Sequence, residues 1–568
     1  MSEKMTGYPS IDKPWMKYYK NVSLDTKIPE MSLYQYAFEC NKDTLNNIAL
    51  NYFGKNISYK KFFDTARMLA NGFVNLGIRE GDFVTILSMS TPETVASMYG
   101  LNYIGAIANM VYFTSSGKEV VDSINNTDSK AFLILDIALE KIYPVLDQID
   151  IPIIVLSLSD SMPFYLKVPY SIKLKHDKKN SRFIWYSQFI KNCSTDENDI
   201  FVNNASLVAV VVYTSGSTGE PKGVMLTNEN IISMVYQYKL TDFRFGKGET
   251  FLNFIPPFVG YGIGMMSIAL CNGLKNYILL DIDVKKVEKM FWKVKPNHIE
   301  IPKGHALQIL SECNKDANLE FIVNFAGGGT ELSIEEEKMI NDLLHSYKCR
   351  ARYAFGYGLT ECASAVCTNS NGVYKDGSIG IPLPLSIIKI VDVDTKTELG
   401  YYSEGEIYIS SPNLMKGYYN NQAATDAAIE VDDEGTRWLR TGDLGYMDED
   451  GFVFFKGRIK RIYTVAGADK FIYKLFPQRI EELFISVDDV EKCAVAVIED
   501  TERLHAAYAF VKGKGEKNEL IIKLQEIAMK ELPEHLQPKK IVIVEDIPIN
   551  ATGKYDYKTL ELMANDVQ

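Results

Sequence analysis

At 568 residues, with 46% hydrophobic and 24% charged side chains, the chain is too long for one core and ordinary in composition for a globular protein. A formal net charge of −12 argues against a general nucleic-acid binder. The eight cysteines, at 40, 193, 271, 313, 349, 362, 367 and 493, show no metal-ligand spacing and read as reduced thiols of a cytoplasmic protein, Cys362 and Cys367 packing as small hydrophobes. Residues Met1–Tyr8 lack the apolar core of a signal peptide, and runs such as 206–213 and 263–271 are far short of the ~20 residues that cross a bilayer. A soluble chain with at most peripheral membrane contact is expected.

In chain order, Asn51–Tyr59 suits a hairpin turning at Gly54–Asn56, and Tyr59 to Leu76 has apolar residues at helical spacing. Asp82–Ser88, Ala131–Asp136 and Ile151–Leu156 read as strands, with a helix over 92–103. Such alternation predicts a mostly parallel α/β sheet. Residues 157–200 interleave prolines and lysines with Phe164, Tyr165 and Tyr170; this reads as a solvated connection, with a lipid-touching patch as the alternative. Ser206–Tyr213 is a continuous, β-branched strand, and Ile231 to Tyr238 is helical, capped by Thr227 or Asn228. Phe251–Gly262 combines a strand, two prolines and an aromatic-glycine turn. Ile278–Asp281 and Phe321–Phe325 read as strands, with helices over 284–293 and 333–346, and Gly327, Gly328 and Gly329 form a turn. Residues 378–458 are β-rich. From 459 a compact α+β unit follows, with strands 494–498, 506–511 and 541–544 and helices 478–485 and 518–531.

The stretch between the strand ending at Tyr213 and Gly223 carries the chemistry. Thr214, Ser215, Ser217 and Thr218 supply hydroxyls, glycines 216, 219 and 223 let backbone N–H groups turn inward, and Lys222 supplies a cation. That set suits an anion such as phosphate. It is not the ATPase P-loop, because Pro221 precedes the lysine and no hydroxyl follows it. A plain Ser/Gly surface turn is the alternative reading of this stretch alone.

Four further stretches follow it in order across about 340 residues: Tyr357-Gly-Leu-Thr-Glu361, Thr441-Gly-Asp443, Gly457-Arg458 and Asn550-Ala-Thr-Gly-Lys554. Together with the loop they resemble the motif series of the adenylate-forming superfamily, which includes acyl-CoA synthetases, peptide-synthetase adenylation domains and luciferases. The resemblance implies an α/β N-terminal domain, 1–457, with a β-rich subdomain over about 378–457. It also implies a small, mobile α+β C-terminal domain, 458–568, hinged near Lys460. The implied reaction has two steps. A carboxylate attacks the α-phosphorus of ATP and releases pyrophosphate; a thiol then displaces AMP from the acyl-adenylate.

The resemblance also implies roles. The 214–222 loop grips the triphosphate, Lys554 bridges carboxylate and α-phosphate, Glu361 binds Mg²⁺ and Thr360 reaches the α-phosphate. Tyr357 and glycines 327–329 face adenine, Asp443 holds the ribose hydroxyls with Arg458 assisting, and Gly467 lines a tunnel for coenzyme A. Departures exist. Val259 stands where the family often has His, Arg461 replaces a frequent acidic residue, and 468–477 is about five residues longer than usual. Peptide-synthetase adenylation domains place an Asp where Val259 stands, so no carboxylate awaits an ammonium here. Phe258, Val259, Gly260, Tyr261, Gly262, Met265 and Met266 suggest an apolar pocket for a fatty acid ahead of an aryl acid. The expected thiol is that of CoA, with a carrier-protein phosphopantetheine as the alternative.

Overall fold

The computed structural model describes residues 5–20, 22–173, 180–193, 200–214, 221–280, 283–314, 316–329, 332–461, 463–466, 472–501, 503–549 and 555–567. Apolar runs too continuous to face water on either side build two large sheets. In the first, Phe83–Leu87, Ile107–Met110, Ala131–Leu135, Ile153–Leu156, Phe183–Trp185 and Val208–Thr214 run parallel, and Lys222–Thr227 and Gly417–Tyr418 add antiparallel strands at one edge. In the second, Lys275–Ile278, Thr250–Asn253, His298–Glu300, Asn324–Gly328 and Tyr353–Tyr357 are successive parallel neighbours. The hairpin Ile48–Tyr52/Lys55–Ser58 closes one edge of that sheet, turning at Phe53–Gly54 rather than at Gly54–Asn56. The expected α/β class is the observed one.

Helices fill the space between the sheets. Tyr59–Asn75 buries Phe62, Phe63, Leu69 and Phe73, and Pro92–Tyr103 packs beside it with Val95, Tyr99 and Leu101 inside. Each such large apolar side chain contributes about 1.5–3 kcal/mol when withdrawn from water. The β-rich stretch forms a third, antiparallel sheet centred on Gly405–Ser410 and Arg437–Met447. The C-terminal part is smaller: Val490–Asp500, Leu504–Gly513 and Lys540–Ile543 form one sheet, flanked by Pro477–Ile485, Lys517–Glu531 and Tyr557–Val567. Its two buried clusters draw only on residues from 463 to 567. No described helix is long and apolar enough to cross a membrane.

Several expected elements are displaced. Residues Phe164–Lys173 form a helix rather than an irregular connection, and the lysine-bearing 174–179 lie outside the described residues. The strand placed at Ile278–Asp281 is Lys275–Ile278, and that placed at Phe321–Phe325 is Asn324–Gly328. In the second case buried Ile322 precedes the strand, and an apolar run read by itself does not separate a buried loop from a strand.

Candidate active site

Antiparallel pairing of Val208–Thr214 with Lys222–Thr227 sets Thr214 opposite Lys222 and Tyr213 opposite Gly223. The phosphate-type stretch is therefore bounded by two paired antiparallel strands rather than by a strand and a helix. Ser215, Gly216, Ser217, Thr218 and Gly219 lie outside the described residues. The helix begins only at Asn228, where Thr227 and Asn230 form a reciprocal cap. The outer strand Gly417–Tyr418 pairs with Val224 and Met225 and carries Tyr418 into the site. The Lys222 ammonium sits 5.0 Å from the Tyr418 ring centre, a cation–π distance, and the Tyr418 hydroxyl donates to Glu361 Oε1 at 2.8 Å. Lys222 and Glu361, 139 positions apart in the chain, are linked through one phenol.

Tyr112 reaches the same place from the next strand. Its hydroxyl donates to the Tyr213 carbonyl at 2.6 Å, and its ring meets Phe258 edge-on at 6.0 Å. Burial and then the Glu361 charge push its phenol up to about 12. Thr360 and Glu361 lie in a short turn, Thr360–Cys362, against which the helix Gly260–Cys271 starts. A Cβ on Gly260 would lie 2.9 Å from Thr360 Cγ2 and 3.0 Å from its Cα, so only glycine admits this approach. Phe258 is buried and Val259 half-buried beside it. Cys362 and Cys367 are fully buried, and burial raises both thiols, as packing residues require.

The second half of the site stands at the end of Tyr353–Tyr357. The Tyr357 hydroxyl donates to Asp443 Oδ2 at 2.6 Å, and Arg458 Nε lies 3.1 Å from Asp443 Oδ1. Asp443 and Arg458 are register partners across two antiparallel strands, which explains their meeting. Asp443 is 1% exposed and Arg458 57%, so the carboxylate is held from inside and reached from outside. Burial first, then Asp443, raises the Tyr357 phenol well above its ordinary value and keeps it a donor. Positive φ at Gly442 and a bond from its N–H to Glu406 Oε1 at 3.0 Å fix the turn that presents Asp443. Gly327 and Gly328 are strand residues, not a turn. A Cβ on Gly327 would collide with the Ile301 carbonyl and the Tyr353 phenol oxygen, and one on Gly328 with the Gly356 carbonyl. Packing within the sheet thus demands both glycines, whereas Gly329, at φ +79°, has open space beside it.

Beyond Arg458 the chain makes one short helical turn, Ile459–Arg461, which contains the backbone of Lys460. Arg461 forks onto Glu481, with NH2 2.8 Å from Oε1 and NH1 3.2 Å from Oε2. It also donates to the Tyr557 phenol at 3.0 Å and the Val495 carbonyl at 3.1 Å. The residue that departs from the family pattern therefore ties together the start, the middle and the last helix of the C-terminal part. Gly467 and Lys554 lie outside the described residues. Ile549 and Tyr555, on either side of residues 550–554, form an antiparallel bridge. The Tyr555 phenol is raised by burial and by carboxylates that include Glu336, on the helix Ile334–Ser346 of the larger part.

Sequence reasoning missed Tyr112, Tyr418 and Glu300. Tyr418 had one available signal, the Lys416-Gly-Tyr-Tyr419 stretch; the other two have none, being single residues inside ordinary strands or their edges. Glu300 Oε2 accepts from Tyr261 at 2.7 Å, which places a carboxyl in a wall expected to be apolar.

Comparison with known proteins identifies the family. The sequence profile described as "AMP-binding enzyme" matches residues 38–419, and "AMP-binding enzyme C-terminal domain" matches 479–554. A long-chain-fatty-acid–CoA ligase of Bacillus subtilis (strain 168) is 27% identical over 560 residues, covering 95% of this chain and 96% of its own. A probable 4-coumarate–CoA ligase 1 of Dictyostelium discoideum is 27% identical over 511 residues, 88% of each chain. In fold, ATP-bound MatB from Rhodopseudomonas palustris superposes with a TM-score of 0.79 at 20% identity, over 94% of this chain and all (100%) of that one. With its profile covering well over half the sequence, the chain belongs to the AMP-binding enzyme family, the adenylate-forming superfamily, and is an enzyme of the acid–thiol ligase class.

Proposed function

We propose that this enzyme joins a largely apolar carboxylic acid, a fatty acid in the first instance, to coenzyme A through an acyl-adenylate. One observation carries the reading. Lys222, Tyr418 and Glu361 on one side and Tyr357, Asp443 and Arg458 on the other converge around the Thr360 turn, with the apolar helix Gly260–Cys271 packed against that turn. In the first step a carboxylate oxygen attacks the α-phosphorus and pyrophosphate leaves. In the second the thiol sulfur attacks the acyl carbon and AMP leaves. Charge develops on phosphate oxygens in the first step, so fixed cations and donors supply most of the acceleration.

In this reading residues 214–222 hold the β- and γ-phosphates, Thr360 the α-phosphate, and Asp443 with Arg458 the ribose hydroxyls. The Tyr357 ring flanks adenine, and the open backbone at Gly329 gives the base its approach. Phe258, Val259, Tyr261 and Gly262 line the acyl group. Lys554 enters when the C-terminal domain, 458–568, closes on the N-terminal domain, 1–457, turning about Lys460; Gly467 faces the thiol in the other position. The separate buried clusters of the C-terminal part support that division. Among the described residues no group of three or more His, Cys, Asp or Glu side chains could hold a metal. A single carboxylate at Glu361, with Oε1 taken by Tyr418, fits a Mg²⁺ shared with phosphate oxygens rather than a protein cage. Bound there, Mg²⁺ supplies neutralisation of phosphate charge.

A panel of carboxylic acids, scored for AMP release with and without CoA, tests the function. AMP release that depends on both an apolar acid and CoA is the expected result; acylation of carrier protein in place of CoA would favour a carrier-loading enzyme. Glu361→Gln is expected to raise the Mg²⁺ needed for half-maximal rate by about tenfold, since a neutral oxygen replaces a charged one. An unchanged Mg²⁺ titration would remove Glu361 from the metal.

A further inference from the structure

The wall assigned to the acyl group contains a carboxyl that the adenylation chemistry does not use. Glu300 ends the strand His298–Glu300 and lies opposite Ala326 in the neighbouring strand. Tyr261 stands in the first turn of the helix Gly260–Cys271, one residue after the glycine that abuts Thr360. The Tyr261 hydroxyl donates to Glu300 Oε2 at 2.7 Å. Glu300 faces a small cavity whose other walls include Tyr238, Met265, Ile268 and Ala326 together with His298 and Asn324. Both members of the pair keep part of their surface open, so the carboxyl is not sealed into the core.

Physical chemistry makes this a costly arrangement if it serves packing alone. A carboxyl withdrawn from water needs partners for its oxygens, and an apolar residue of similar volume would be cheaper. Burial pushes Glu300 up to about 7; the Tyr261 hydrogen bond opposes that rise, and no cation of the described residues acts on it. The nearby Tyr353 phenol gives its proton elsewhere, to the Ile301 carbonyl at 2.9 Å. An ionised carboxylate has about four acceptor positions, of which Tyr261 fills one. The remaining capacity is open to the small cavity that Glu300 lines.

Resting on the proposed acid–thiol ligase reading, we infer that Glu300 and Tyr261 form a polar notch in an otherwise apolar acyl wall, and that it selects acids whose apolar body carries one hydrogen-bond donor, a hydroxyl or an amine. The carboxylate accepts from that donor, and Tyr261 holds the carboxylate in place. An acid lacking the donor covers Glu300 without giving its carboxylate a second partner, and is disfavoured for that reason.

Matched pairs test the inference: straight-chain fatty acids against their ω-hydroxy and ω-amino forms, and phenyl-substituted acids against their hydroxyphenyl and aminophenyl forms. Acid-dependent pyrophosphate exchange gives kcat/KM for each, in the wild-type enzyme and in Glu300→Leu, Glu300→Gln and Tyr261→Phe. At least one donor-bearing acid is expected to exceed its parent by about tenfold in the wild-type enzyme. That ratio is expected to fall to near one in Glu300→Leu, and to survive in part in Glu300→Gln, which keeps an acceptor oxygen. The series in which the preference appears separates a chain-end donor from a ring donor. A wild-type enzyme indifferent to the donor across every pair would overturn the notch while leaving the ligase reading intact. Equal losses on both members of a pair in Glu300→Gln and Tyr261→Phe would show a structural role only and overturn it too. Absence of exchange with every acid would overturn both readings together.

Discussion

Lys554→Ala is expected to lower acid-dependent pyrophosphate exchange by about 10²–10³-fold while thioester formation from supplied acyl-adenylate proceeds nearly unchanged. The magnitude is that of removing one preorganised charge from developing oxyanions. A lysine ammonium is a compact charge that meets the substrate carboxylate and the α-phosphate at once, and neither is present as a reacting pair in the second step. Lys554 itself is outside the described residues. Ile549 and Tyr555 are bridged, and Tyr555 feels the Glu336 carboxylate of the larger part. Isotope exchange measures the first step and a spectrophotometric thioester assay the second; equal loss in both would contradict a role confined to adenylation.

Asp443→Ala is expected to raise KM for ATP by up to about a hundredfold with a smaller change in kcat. In the proposed binding mode two ribose hydroxyls donate to this carboxylate, each a charge-assisted contact of a type that contributes about 1.5–3 kcal/mol. Ribose hydroxyls bind alike in ground and transition states, so their loss falls on KM rather than on the chemical step. Because Asp443 is buried between Tyr357 and Arg458, the variant also leaves two donors without their acceptor and lowers the melting temperature. Tyr357→Phe serves as the control, since it removes one of these donors and keeps the carboxylate. A lower melting temperature with unchanged KM for ATP would make Asp443 a structural residue alone.

Legibility varied with the range of the interaction concerned. Helices 92–103 and 284–293 were placed within about a residue, because apolar periodicity and capping side chains act within one turn of backbone. The cap between Thr227 and Asn228 resolves onto Thr227 for the same local reason. The antiparallel pairing that bounds the phosphate-type stretch was not legible, since Lys222–Thr227 becomes a strand only by pairing with Val208–Thr214 on one side and Gly417–Tyr418 on the other. Glycines 327 and 328 illustrate the same limit. Their composition suggested a turn open to a ligand, and their demand comes from the carbonyls and phenol of adjacent strands.

For the site, the five ordered motifs were sufficient to name the superfamily and most residues now proposed to act, because each motif holds its chemistry within a few consecutive positions. Tyr112, Tyr418 and Glu300 carry no such signature. Each acts on a residue far away in the chain, Glu361 or Tyr261, and that meeting exists only once two sheets and a helix are packed. Order and spacing along the chain thus pointed to the family and its enzyme class. Packing across the chain decided that Glu300 meets Tyr261 in the proposed acyl wall, since whether a carboxyl is solvated, paired or exposed depends on neighbours that folding alone brings within a few ångströms.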